Sequence, residues 1–104
     1  MEKIVTNTQF QEAIQGDQTI VVKFHADWCT DCKRLDTYFD QIIREYPNLK
    51  FYDIDVEELP ELAESQSVRG IPSLLAYHKG EKISHLHSAN LKTQGQARDF
   101  LSGL

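Results

Sequence analysis

Scarce residue types set the first limits on this chain. Its 104 residues include two cysteines, three prolines, one tryptophan and one methionine. No apolar run approaches the roughly 20 residues that a membrane-crossing helix requires. The opening stretch Met1-Glu2-Lys3-Ile4-Val5-Thr6-Asn7 lacks the apolar core of a secretion signal. Basic residues gather no further than Lys33-Arg34, and eleven Lys and Arg against sixteen Asp and Glu leave a net charge of −5. That balance gives no electrostatic footprint for nucleic acid and disfavours an anionic membrane surface. The expected compartment is therefore the cytosol, where ambient thiols keep most cysteines reduced and structural disulfides are rare. A close cysteine pair in that setting reads as redox-active or metal-binding.

With 40% apolar residues the chain can build one modest core, so residues 1–104 are read as a single domain. Lys3-Ile4-Val5 reads as a short edge strand. Thr6, Asn7 or Thr8 offers an N-cap for a helix carrying Phe10, Ala13 and Ile14, which Gly16 should stop. The β-branched run from Thr19 to Ala26 predicts a central strand. From Cys32, the residues Leu35, Phe39, Ile42, Ile43 and Tyr46 keep helical spacing until Pro47-Asn48. Lys50 to Val56 alternates as a strand, and Glu58 to Ser67 reads as a short helix with Pro60 in its first turn. Beyond Gly70-Ile71-Pro72, strands at Ser73–Tyr77 and Lys82–His87 flank a Lys79-Gly80 turn, and a helix covers Thr93–Leu101. The predicted class is α/β, in the order β-α-β-α-β-α-β-β-α.

The chemistry concentrates in Trp28-Cys29-Thr30-Asp31-Cys32, which holds both cysteines of the chain. Two sulfurs at this spacing on a solvent-accessible first helical turn can alternate between dithiol and disulfide with little backbone movement. Unpaired N–H groups and the helix dipole there favour a thiolate at Cys29. A zinc site would need two more ligands. Of His25, His78, His85 and His87, only the last two share a strand face, and nothing in the spacing brings them to the cysteines.

Three blocks in order give the chain a resemblance to the thioredoxin family over nearly its whole length. They are Val22-Lys23-Phe24-His25-Ala26-Asp27-Trp28-Cys29-Thr30-Asp31-Cys32-Lys33, then Phe51-Tyr52-Asp53-Ile54-Asp55-Val56, then Val68-Arg69-Gly70-Ile71-Pro72-Ser73-Leu74. The resemblance implies a thioredoxin fold, a central mixed sheet flanked by helices. It implies Cys29 as nucleophile, Cys32 as the resolving cysteine, and a cis Pro72 facing them. Trp28, Gly70, Ile71, Pro72, Ser88 and Ala89 would rim a shallow groove in which target backbone adds as a short strand. The implied activity is thiol-disulfide exchange, mainly disulfide reduction, with no cofactor beyond the cysteines. Disulfide-containing proteins would be substrates, and a thioredoxin reductase or low-molecular-weight thiol the electron donor. A monomer is expected. Mixed disulfides between proteins and small thiols are an alternative substrate class, and a non-catalytic binding module of the same fold is a further alternative.

Five positions depart from the family pattern. Asp31 replaces a proline, and its carboxylate should oppose a thiolate beside it and make the couple more reducing. Lys23 stands where an acid is common. It is expected to act near the sulfurs or to snorkel to solvent, with Asp53 on the next strand as its candidate partner. His25 replaces an aromatic residue, Ser88 a glycine that would let target backbone come closer, and Thr37 a helix-kinking proline.

Overall fold

The computed structural model describes residues 1–104. Its elements run β1 (Glu2–Lys3), α1 (Asn7–Ala13), β2 (Thr19–His25), α2 (Thr30–Arg44) and β3 (Leu49–Asp55). After these come α3 (Pro60–Ser65), β4 (Ser73–His78), β5 (Glu81–Leu86), a 3₁₀ turn at Ser88–Asn90, and α4 (Gln94–Ser102). The order is the predicted one, with the 3₁₀ turn as an addition. One mixed sheet has the strand order β1-β3-β2-β4-β5. Strand β2 pairs parallel with β3 and antiparallel with β4, so it lies at the centre and carries the chain directly into α2.

Alternation along the strands sorts the core onto two faces. Ile20, Val22, Phe24, Ile54, Leu75 and Tyr77 pack with Phe10 and Ile14 from the α1 segment and Leu62 from α3. Val21, Phe51 and Leu74 pack on the other face against Leu35, Phe39 and Ile42 of α2 and Ala97 and Leu101 of α4. Edge-to-face rings reinforce each side, Phe10 on Tyr77 at 5.3 Å and Phe39 on Phe51 at 5.8 Å. Each such pair contributes about 0.5–1.5 kcal/mol beyond its buried area. Lys23 lies on the α2 face at a position that Val21 would extend as core, yet it is only 4% exposed.

Local signals fix the helix ends. Thr6 caps α1 and Thr93 caps α4, each through a reciprocal box with a glutamine three residues on. A cap of this kind contributes about 1 kcal/mol. Helix α1 closes at Ala13 with Ile14 as its C-cap, before the Gly16 expected to end it. Helix α2 runs unbroken for 15 residues from Thr30, two residues earlier than its apolar spacing indicates, because Cys29 itself is the N-cap. Lys79 (φ 52°) and Gly80 (φ 86°) form the tight β4–β5 turn. A left-handed pair of this sort matches the twist of the flanking strands.

Candidate active site

Beyond His25, β2 gives way to Ala26-Asp27-Trp28 and the chain turns into α2 at Cys29. Ala26, Cys29 and Cys32 form a small buried cluster of their own, separate from both main cores, with Val56 and Ile71 packed against it. Cys29 is 5% exposed and Cys32 2%, so the pair is more enclosed than an open helix tip. Both are free thiols.

Cys29 Sγ occupies the capping position and accepts a hydrogen bond from the Cys32 backbone N–H at 3.2 Å. In the protonated form its S–H donates to the Ile71 carbonyl at 3.7 Å. The sulfur therefore lies between a donor that stabilises negative charge and a carbonyl belonging to the cis Ile71–Pro72 peptide. Burial pushes the Cys32 thiol up to about 12, its contact with Cys29 adding to the effect, while the Ala26 backbone and Lys23 pull the other way. The two sulfurs are thus inequivalent. Cys29 faces the Ile71 loop, and Cys32 is a buried thiol that holds its proton firmly.

The Gly70–Ser73 segment faces this pair. Ser73 Oγ donates to the Gly70 carbonyl at 2.6 Å and braces the loop. Trp28, 65% exposed, shares a shallow recess of about 220 Å³ with Val56, Ala63, Val68, Gly70 and Ile71. Pro72 is buried. Ser88 packs directly on Gly70, where a Cβ would meet the Ser88 Oγ at 2.3 Å. Ala89 sits exposed in the 3₁₀ turn, outside that recess.

The charged neighbours differ from the sequence reading. Lys23 does not pair with Asp53. Its ammonium bonds Asp36 Oδ1 on α2 at 2.5 Å and lies 5.8 Å from the centre of the Phe39 ring. The stem stays buried while the head reaches a carboxylate that is half exposed. Asp53 instead has His25 Nε2 at 3.2 Å, although that nitrogen is not aligned for a hydrogen bond. Burial pushes the Asp53 carboxyl up, but His25, Lys23 and Lys3 together hold it below its ordinary value.

Asp31 is not a bare charge either. Lys92 Nζ lies 2.8 Å from one of its oxygens and Arg34 Nη1 3.1 Å from the other. Sequence reasoning found neither Lys92 nor Asp36. Asp36 sits one turn beyond Cys32 and was legible in principle as a helix-face partner for a buried strand lysine. Lys92 had no local signal, being 61 residues from Asp31. His85 and His87 stack on each other at 3.8 Å on the β5 side. No group of three or more His, Cys, Asp or Glu side chains is arranged to hold a metal ion.

The family model described as Thioredoxin matches residues 2–99. Thioredoxin-1 of Saccharomyces cerevisiae is 34% identical over 85 residues, covering 82% of each chain. Human thioredoxin is 33% identical over 92 residues, covering 86% of this chain and 88% of its own. Among solved structures, mitochondrial thioredoxin 3 of Saccharomyces cerevisiae superposes with a TM-score of 0.89 at 26% identity, covering all of this chain and 95% of that one. A Plasmodium falciparum thioredoxin gives 0.90 at 20% identity, covering 99% and 98%, a likeness of fold.

Proposed function

Because this chain belongs to the thioredoxin family and is a thiol-disulfide oxidoreductase, we propose that it runs mainly as a disulfide reductase, with Cys29 as nucleophile and Cys32 as resolving thiol. The observation that carries the reading is the capping bond from the Cys32 N–H to Cys29 Sγ. It supplies a fixed donor to whatever negative charge develops on that sulfur.

The Cys29 thiolate attacks one sulfur of a substrate disulfide, forming a mixed disulfide and expelling the other sulfur as a thiolate. Cys32 then loses its proton and attacks Cys29 Sγ. The Cys29–substrate bond breaks, the second substrate thiolate leaves, and Cys29–Cys32 closes as a disulfide. Two electrons pass from the protein to the substrate, and two protons end on the released thiols. Lys23 serves as a positioning residue for the second step, its positive charge favouring ionisation of Cys32. A buried sulfur that holds its proton as firmly as Cys32 also leaves the dithiol without strong ionic stabilisation, as suits a reducing couple.

Trp28, Gly70, Ile71 and Pro72 are the residues we assign to substrate contact, with Ser88 and Ala89 at the rim. The substrates are disulfide-containing proteins. Mixed disulfides with small thiols are a second reading, favoured by the Ser88 side chain packed on Gly70, which leaves less room for a docked backbone. A thioredoxin reductase or a low-molecular-weight thiol returns the electrons. The protein acts as a monomer in the cytosol, and no helix is long and apolar enough to cross a membrane.

A Cys32→Ser variant tests the reading. It should accumulate covalent adducts at Cys29 that dithiothreitol releases, whereas Cys29→Ser should form none and reduce nothing. Equal adduct formation by both variants would reverse or remove the assigned roles.

A further inference from the structure

The residue between the two cysteines that carries a charge is held by a distant part of the chain. Asp31 stands in the first turn of α2, and its two oxygens are divided between Arg34 and Lys92. Arg34 belongs to the same helix and travels with it. Lys92 comes from the segment before α4, and its backbone is pinned on both sides. Leu91 is buried in the core that α2 and α4 share. The Lys92 and Thr93 N–H groups both donate to Gln96 Oε1, at 2.6 and 3.1 Å. The ammonium thus projects from a fixed base onto the dithiol-bearing turn.

We propose that Lys92 is a positioning residue for the redox couple: by pairing with Asp31 it cancels the repulsion that this carboxylate exerts on a thiolate at Cys29, and so helps set the potential. This rests on the dithiol function given above. Lys92 and Arg34 hold the Asp31 carboxyl below the usual carboxylate range, so the negative charge is present wherever the protein works. Within this group of three, two cations against one anion leave one positive charge. Removing Lys92 brings that sum to zero, and removing the Asp31 charge raises it to two. A less favoured thiolate means a less stable dithiol and a more reducing couple.

Two readouts test this on the full chain: the dithiol/disulfide ratio in dithiothreitol buffers, and the pH dependence of Cys29 alkylation by iodoacetamide. Lys92→Met should shift the ratio about three-fold toward disulfide, the size of one partly screened unit charge nearby, and move the alkylation profile to higher pH. Asp31→Asn should move both in the opposite direction. Asp31→Asn with Lys92→Met should return both close to the parent values, and Lys92→Arg should match the parent. A purely structural Lys92 would change the melting temperature but leave both readouts still. Unchanged ratio and profile in folded Lys92→Met would overturn the proposal, as would a Lys92→Arg shift equal to that of Lys92→Met. Should Lys92→Met not fold, Lys92→Gln takes its place in the same comparison. Failure of the parent protein to exchange with dithiothreitol at all would instead remove the dithiol function, which separates the two conclusions.

Discussion

Lys23 and Asp36 join the central strand to the active-site helix through one ion pair, the ammonium end 5% exposed and the carboxylate 52%. The pair crosses a layer that is otherwise closed by Val21, Leu35 and Phe39. It brings positive charge within electrostatic reach of Cys32 without any contact to Cys29.

Two substitutions separate its roles. Lys23→Met keeps an apolar stem in the core and removes the charge, so stability should change little. Resolution of the Cys29 mixed disulfide should slow about three- to ten-fold, in keeping with a loss of one partly screened charge. Asp36→Asn leaves the buried ammonium without its anion and should cost roughly 1–3 kcal/mol of stability. Stopped-flow release of a chromogenic thiol and urea unfolding measure the two effects. Unaltered release by Lys23→Met would mean that the lysine is only a packed stem.

Gly70 and Ser88 should behave as one unit. A methyl group at residue 70 meets the Ser88 hydroxyl at 2.3 Å, so Gly70→Ala must displace the serine or the loop. The expected result is lower kcat/KM on a protein disulfide such as insulin. Adding Ser88→Gly should recover most of the loss, a coupling that independent sites would not give. Ser88→Gly alone should accelerate insulin reduction more than reduction of a small aromatic disulfide. Equal effects on both substrates would argue against a narrowed groove.

Acid should weaken the β4–β5 hairpin through His85. Burial, followed by the charges of Lys82 and His87, pushes this imidazole down to about 4. In the unfolded chain it titrates near 6.5. Between those values the unfolded state binds a proton that the folded state refuses, so His85 favours folding fully above about pH 6.5. That contribution fades as the pH falls toward 4. Urea midpoints between pH 7 and 4 should decline, and His85→Gln should flatten that part of the curve. An identical decline in the variant would assign the acid sensitivity to other groups.

The element order, the two-faced core and the pairing of Cys29 with Cys32 were all readable from residue pattern, because each is written in local periodicity or in a short motif. Thr6 with Gln9 and Thr93 with Gln96 follow the same rule, since a cap and its partner lie within one helical turn. The contacts that govern charge around the dithiol are of another kind. Lys23 and Asp53 are opposite in the β2–β3 register and invited a pairing that the fold does not make. The lysine turns toward α2, and the imidazole of His25 takes the place beside Asp53. The Asp31–Lys92 contact depends on how α4 settles against α2, which no window of sequence encodes. The Asp31 carboxylate is therefore paired where residue pattern alone indicates an uncompensated charge.

The sulfur we assign to the attack is also the group that ties down the first turn of α2. While it is bonded to a substrate it is neutral and a poorer acceptor, so the amide that leaned on it is left with less. The first turn of the helix should therefore loosen once the mixed disulfide forms, and regain this bond in full only when Cys29 is reduced again to a thiolate. Chemistry and local order are thus coupled on a single atom, and amide exchange at Cys32 should be faster in the covalent intermediate than in the reduced protein.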